Sequence, residues 1–110
     1  MPVATNQWMR HSRERYYVNQ QQRIRVQVSG RVQGVYYRAS TEEQARVIGV
    51  TGWVRNLDNG DVEFEAQGTP EQLERLIHWA RRGPTRARVD DLQQSSCPLQ
   101  SDESSFEVRR

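Results

Sequence analysis

Two glycines and an arginine, spaced as Gly30-x3-Gly34-x3-Arg38, are the residues of this chain that most clearly suggest chemistry. Glycine reaches backbone angles that are closed to other residues, so a loop containing Gly30 and Gly34 can turn successive N–H groups toward an anion. A helix directly after the loop would add unpaired N–H groups and partial positive charge. Arg38 would add a two-pronged contact to phosphate oxygens. The spacing indicates an anion-binding loop, although by itself it also fits a tight connection with a surface arginine.

The loop lies between a predicted strand and a predicted helix. Residues 23–30, RIRVQVSG, alternate between apolar and polar side chains, which predicts a half-buried strand. Residues 37–49 carry apolar side chains at helical spacing, with Gly49 placed as the C-terminal cap. A capping box of Ser40 and Glu43 is an alternative, and it would start the helix later.

A β-hairpin is predicted next. Within residues 50–68, two alternating runs flank Asn59-Gly60, a dipeptide that is a strong signal for a β-hairpin. In the second run, the apolar positions are predicted to face the core, and Glu63 and Glu65 to face the solvent.

The rest of the chain predicts a second helix and two more strands. Thr69 suits the N-cap of the helix, Gln72 the capping-box position, and Gly83 its end. Residues 86–92 and 105–110 read as strands. The order β-α-β-β-α-β plus a C-terminal strand predicts an α+β fold of the ferredoxin-like type, with an antiparallel sheet and both helices on one face.

Composition limits the class of protein. With 110 residues, 35% hydrophobic and 27% charged, the chain suits a single globular domain. Residues 1–22 are polar and without a sustained period, so we expect a disordered tail there and the domain in residues 23–110. No apolar run suggests a membrane span or a signal peptide. The lone Cys97 cannot form an internal disulfide, which fits a cytoplasmic location.

Several chemistries are excluded. All 16 basic residues are arginine, so Schiff-base and P-loop lysine mechanisms cannot operate. Cys97 does not begin a Cys-x5-Arg phosphatase loop, because Glu103 occupies the arginine position. No spacing of His, Cys and Asp predicts a metal site. The net charge of +2 does not indicate a nucleic-acid partner, and we expect a monomer.

The chain closely resembles the acylphosphatase family in two signatures, Gly30-x-Val32-Gln33-Gly34-Val35-x-x-Arg38 and Gly52-Trp53-Val54-Arg55-Asn56. The similarity runs from about Arg23 to Arg110. It implies the ferredoxin-like fold and hydrolysis of the carboxyl–phosphate bond of acyl phosphates, which releases inorganic phosphate. It also implies that no metal or organic cofactor is needed.

The same resemblance implies a role for each site residue. Arg38 would bind the phosphate and Asn56 would position the attacking water. The phosphate cradle would be the backbone of eight consecutive residues: Gly30, Arg31, Val32, Gln33, Gly34, Val35, Tyr36 and Tyr37. Some members carry a hydroxyl residue where this chain has Leu57, which we expect to alter the support of Asn56 without abolishing the site.

A non-catalytic module that binds an anion or RNA is the alternative. RNA-recognition domains share the topology, and the GVYYR stretch faintly resembles their aromatic stacking motif. Those aromatics belong on a central strand, whereas Tyr36 and Tyr37 lie at a predicted helix start. The two tyrosines could line the acyl side of the site or pack in the core.

Overall fold

The computed structural model describes residues 20–110, which form five strands and two helices. In chain order these are β1 (Gln22–Arg31), α1 (Tyr37–Ile48), β2 (Thr51–Asn56), β3 (Val62–Gly68), α2 (Pro70–Ala80), β4 (Arg88–Ser96) and β5 (Phe106–Val108). Most of the predicted tail, residues 1–19, lies outside the described residues.

The sheet has the strand order β4-β1-β3-β2-β5. The first four strands pair antiparallel in the predicted ferredoxin-like arrangement, which is confirmed, and β5 adds a parallel pair at the β2 edge. The direction of β5 follows from the path of the chain. Strand β4 ends at Ser96 opposite Ile24, the end of the sheet where β2 also begins. The chain crosses that end and therefore enters β5 running the same way as β2.

Both helices cover one face of the sheet, and the core lies between the helices and that face. Alternation along β1 and β3 places their apolar side chains on this face. Fully buried members include Val26, Val28, Val54, Val62, Phe64, Ala66, Leu76, Ala80 and Phe106. The apolar positions of the alternating strands, which the sequence predicts to face the core, are therefore buried in it.

Helix α1 begins directly after the glycine loop. Its N-cap is Tyr36, and Gly49 ends it in the left-handed conformation, as predicted. The alternative start at a Ser40 capping box is wrong, since the helix already begins at Tyr37. Because the helix starts this early, Arg38 falls in its first turn.

Tyr37 joins the two helices from within the core. Its side chain is 1% exposed, and its hydroxyl donates a hydrogen bond of 2.7 Å to the carbonyl oxygen of Ala80. Its ring centroid lies 5.5 Å from that of Trp79. Burial raises the pKa of the Tyr37 phenol. The ring of Tyr37 therefore packs in the core, which is one of the two alternatives predicted for this tyrosine.

Helix α2 begins with the predicted capping box. The hydroxyl of Thr69 accepts a hydrogen bond from the backbone N–H of Gln72, and the Gln72 side chain accepts one from the N–H of Thr69. The amide of Gln72 also donates to the carbonyl of Ile48, at the end of α1. This cap therefore also links the two helices.

The second face of the sheet differs from the prediction. Glu63 and Glu65, expected in solvent, are only 8% and 6% exposed. Arginines of the neighbouring strands cover them: Arg55 pairs with Glu63, while Arg23 and Arg25 pair with Glu65. The period-2 pattern places these carboxylates on the correct face, but long arginine side chains shield that face from water.

Candidate active site

The glycine loop is shorter than the predicted cradle. Gly30 and Arg31 still belong to β1, where they pair with Val89 and Arg88 of β4 after a register shift. Gly30 has φ +122°, and a β-carbon there would overlap the backbone of Arg88. Gly30 is thus needed for the close approach of two strands, and the loop proper spans residues 32–36.

The loop turns its backbone through left-handed conformations before the helix starts. Gly34 has φ +74° and Tyr36 has φ +66°; within the described chain, Tyr36 is the one residue other than glycine with positive φ. In residues 20–110, no hydrogen bond of ordinary geometry is found for the backbone N–H groups of residues 34–38. A run of unpaired donors at a helix N-terminus attracts anions.

Arg38 is held at the edge of this loop. Its Nη1 donates a hydrogen bond of 3.1 Å to the carbonyl oxygen of Arg109. The backbone N–H of Arg109 in turn donates to the carbonyl of Val54, at 2.7 Å. The segment after β5 therefore anchors the guanidinium beside β2, and within residues 20–110 its remaining donors make no other hydrogen bond.

Asn56 is the last residue of β2, opposite Val62 of β3. Its Oδ1 is buried and has no hydrogen-bond partner among the described residues. A buried acceptor without a partner destabilises a fold by about 1–3 kcal/mol. Such an acceptor therefore needs a donor from outside the described residues, and a water molecule in the adjoining cavity is the simplest one it could receive.

One cavity of about 400 Å³ joins these features. Its lining contains both predicted catalytic residues together with loop, helix and β5 residues: Val32, Gly34, Tyr36, Tyr37, Arg38, Ala39, Asn56 and Val108. Loop geometry, Arg38 and Asn56 thus converge on one space. Of the predicted cradle, Gly30, Arg31, Gln33 and Val35 do not line it. Arg31 is exposed on β1, Val35 is buried in the core, and the side chain of Gln33 turns toward the β2–β3 hairpin.

The rim of the cavity carries two exposed apolar side chains. Tyr36 is 76% exposed and Val108 is 41% exposed. Sequence reasoning left Tyr36 open and missed Val108, because strand alternation places Val108 on the face of the buried Phe106. Only the pairing of β5 with the edge of β2 shows that Val108 reaches the site.

Three further features concern metal binding, membrane spans and the reactivity of Cys97. Residues 20–110 contain no cluster of three or more His, Cys, Asp or Glu side chains able to hold a metal ion. In the same part of the chain, no helix is long and apolar enough to cross a membrane. Burial raises the pKa of the Cys97 thiol, so this cysteine is not an activated nucleophile.

Comparisons with known proteins agree on one family. The sequence model described as Acylphosphatase matches residues 24–108. An acylphosphatase of Marinobacter nauticus is 53% identical over 79 residues, which make up 72% of this chain and 86% of that protein. The solved acylphosphatase from Coxiella burnetii has a TM-score of 0.78 at 40% identity, covering 83% of this chain and 94% of that one. The Bacillus subtilis acylphosphatase has a TM-score of 0.77 at 27% identity, covering 83% and 100%.

The chain belongs to the acylphosphatase family. The match covers the described α+β domain and both signature segments. Membership confirms the predicted fold and the predicted class of enzyme, a hydrolase of acyl phosphates. The alternative of a non-catalytic anion- or RNA-binding module is not favoured.

Proposed function

We propose that this acylphosphatase holds the phosphate of its substrate with the loop amides and Arg38, and that Asn56 orients the attacking water. The observation that carries the proposal is that Asn56, whose buried Oδ1 has no partner within residues 20–110, lines the same cavity as Arg38. The N–H groups of residues 34–38 supply several donors for phosphate oxygens.

The reaction asks little of the protein beyond positioning. Water attacks phosphorus, the bond between phosphorus and the acyl oxygen breaks, and carboxylate and dihydrogen phosphate leave. The carboxylate is a good leaving group, so no strong base is required. An amide cannot take a proton, but Asn56 Oδ1 can accept one hydrogen bond and hold the water in line. The loop amides and Arg38 stabilise charge on the transferred group.

The proposal includes independence from metals, because fixed donors of the chain itself balance the phosphate charge. It also includes inorganic phosphate as a competitive product inhibitor, since phosphate fits the same donors. We further propose a cytoplasmic monomer without a nucleic-acid partner. The free Cys97 supports the cytoplasmic location, and the small net charge of +2 supports the absence of a nucleic-acid partner.

Purified protein and acetyl phosphate test this function. We expect release of inorganic phosphate that chelator does not reduce, with added phosphate raising KM and leaving kcat unchanged. Activity lost with chelator and restored by a divalent ion would contradict the metal-free mechanism. Noncompetitive inhibition by phosphate would place the anion site away from this cavity.

A further inference from the structure

The side chain of Gln33 connects the phosphate loop to the hairpin that follows Asn56. Its Nε2 donates to the carbonyl oxygen of Leu57 at 2.8 Å and to that of Asp61 at 2.9 Å. These carbonyls belong to the two residues that close the β2–β3 turn. Both side-chain N–H groups of Gln33 are therefore used, and both reach the turn next to Asn56.

The hairpin does not depend on Gln33 for its own shape. The backbone N–H of Leu57 donates to the carbonyl of Asp61 at 2.8 Å, and the N–H of Asp61 donates to Oδ1 of Asn59 at 3.0 Å. Strand β1 braces the turn separately, through Nε2 of Gln27 and Oδ2 of Asp61 at 2.7 Å. With the turn already held, the two Gln33 bonds mainly set where the loop lies relative to it.

We propose that Gln33 is a positioning residue, which fixes the distance and orientation between the loop amides and Asn56. This inference rests on the proposed function. Gln33 does not line the cavity and touches no reacting atom, so its effect passes through the loop. It also explains how the site accommodates Leu57, because the support runs through the backbone carbonyl of that residue and is independent of its side chain.

Substitution Gln33→Glu tests the geometry with little change in size. An ionised carboxylate cannot donate and would face two carbonyl oxygens, which pushes the loop away from the hairpin. A misplacement of about 1 Å can lower turnover about 100-fold, so we expect a loss of that order in kcat at neutral pH. Affinity for inorganic phosphate should change far less, because the amides and Arg38 remain together on the loop and helix.

The pH profile separates positioning from general damage. Once protonated, the introduced carboxyl can donate one hydrogen bond, and its carbonyl neighbours raise its pKa above the usual glutamate value of about 4.3. The ratio of variant to wild-type kcat should therefore rise as pH falls from about 7 toward 5. Methionine cannot donate a hydrogen bond at any pH. Gln33→Met should therefore lower kcat, and its ratio of variant to wild-type kcat should not change with pH.

Gln27→Glu is the matched control, since it perturbs Asp61 of the same turn from β1 without touching the loop. Near wild-type kcat in this control, together with the pH-dependent recovery of Gln33→Glu, supports the inference. If Gln33→Glu does not fold, a kcat loss in Gln33→Met with unchanged phosphate affinity carries the test. Equal losses in the Gln27 and Gln33 variants, or wild-type turnover in both Gln33 variants, would overturn it. An inactive wild type would instead reject the proposed function.

Discussion

Replacing Arg23 with methionine should destabilise the fold and leave catalysis intact. The Arg23 side chain is 1% exposed and binds two carboxylates at once: Nε lies 2.7 Å from Glu65 and Nη1 lies 2.8 Å from Glu103. These contacts join β1, β3 and the segment between β4 and β5. Arg23→Met keeps much of the apolar stem and removes only the charged head, so it isolates the ionic network.

The magnitude follows from what each carboxylate retains. Removing one partner of a buried pair costs about 3–5 kcal/mol, because a buried charge is left uncompensated. Glu65 keeps Arg25 at 2.7 Å, and Glu103 is 17% exposed and can recover some water. We therefore expect the lower end, about 3 kcal/mol, which lowers the urea midpoint by about 2 M at an m-value of about 1.5 kcal/mol/M.

Urea unfolding and turnover are measured on the same preparations. Arg25→Met is the control, since it pairs with the same Glu65 from a side chain that is 54% exposed, and its loss should be much smaller. Arg23 pairs with Gln67 at the end of the sheet where β2 begins, whereas Asn56 ends β2, so kcat should stay at the wild-type value in both variants. Equal stability losses for the two arginines would refute the argument from burial, and a large drop in kcat would refute the separation from the site.

Three further outcomes are expected. Gly30→Ala should unfold far more easily than Gly34→Ala. At Gly30 a β-carbon would overlap the backbone of β4, whereas at Gly34 it would meet nothing within 4 Å and only the positive φ would be strained. Similar unfolding midpoints for the two variants would contradict this. Burial alone would raise the pKa of Glu65, but hydrogen bonds from arginines outweigh it and lower that pKa. The stability that Glu65 contributes is fully present above the usual glutamate pKa of about 4.3 and is lost as pH falls through the lower pKa of the folded state. Glu65→Gln should therefore make stability depend less on pH on the acid side. An unchanged slope would show that other groups set the acid dependence. A chain that starts at Gln22, the first residue of β1, should keep its thermal midpoint and kcat, and a large loss of either would show that residues 1–21 contribute.

Periodicity and turn chemistry predicted most of the fold. The Asn59-Gly60 turn, the Thr69 capping box and the Gly49 cap are local signals, so they could be interpreted without tertiary information. The direction of β5 could not, because it depends on which end of the sheet the chain crosses after β4. The burial of Glu63 and Glu65 could not be predicted from the sequence either, because the arginines that cover them belong to other strands.

The site shows the same division between local and distant information. The spacing after the loop pointed to Arg38 as an anion-binding candidate, and the structure places Arg38 in the first turn of α1. The role of Asn56 came only from the family resemblance, because an asparagine at a strand end is ordinary turn chemistry. Gly30 was interpreted as a cradle residue from its neighbours in sequence, and its close contact with a strand some sixty residues later could not be anticipated from them. Contacts of that kind cannot be deduced from spacing.

The most direct test of the proposed mechanism is to measure kcat and inorganic phosphate affinity together for Arg38→Ala and Asn56→Ala. Arg38 would contact phosphate in the ground state and the transition state, so its loss should weaken phosphate binding and also slow turnover. Asn56 would hold the water, so Asn56→Ala should lower kcat by about 100- to 1000-fold and leave phosphate affinity nearly intact. Both variants should remain folded, because neither side chain belongs to the buried apolar core. Loss of phosphate affinity in Asn56→Ala as severe as in Arg38→Ala, or wild-type turnover without the Asn56 amide, would contradict the mechanism.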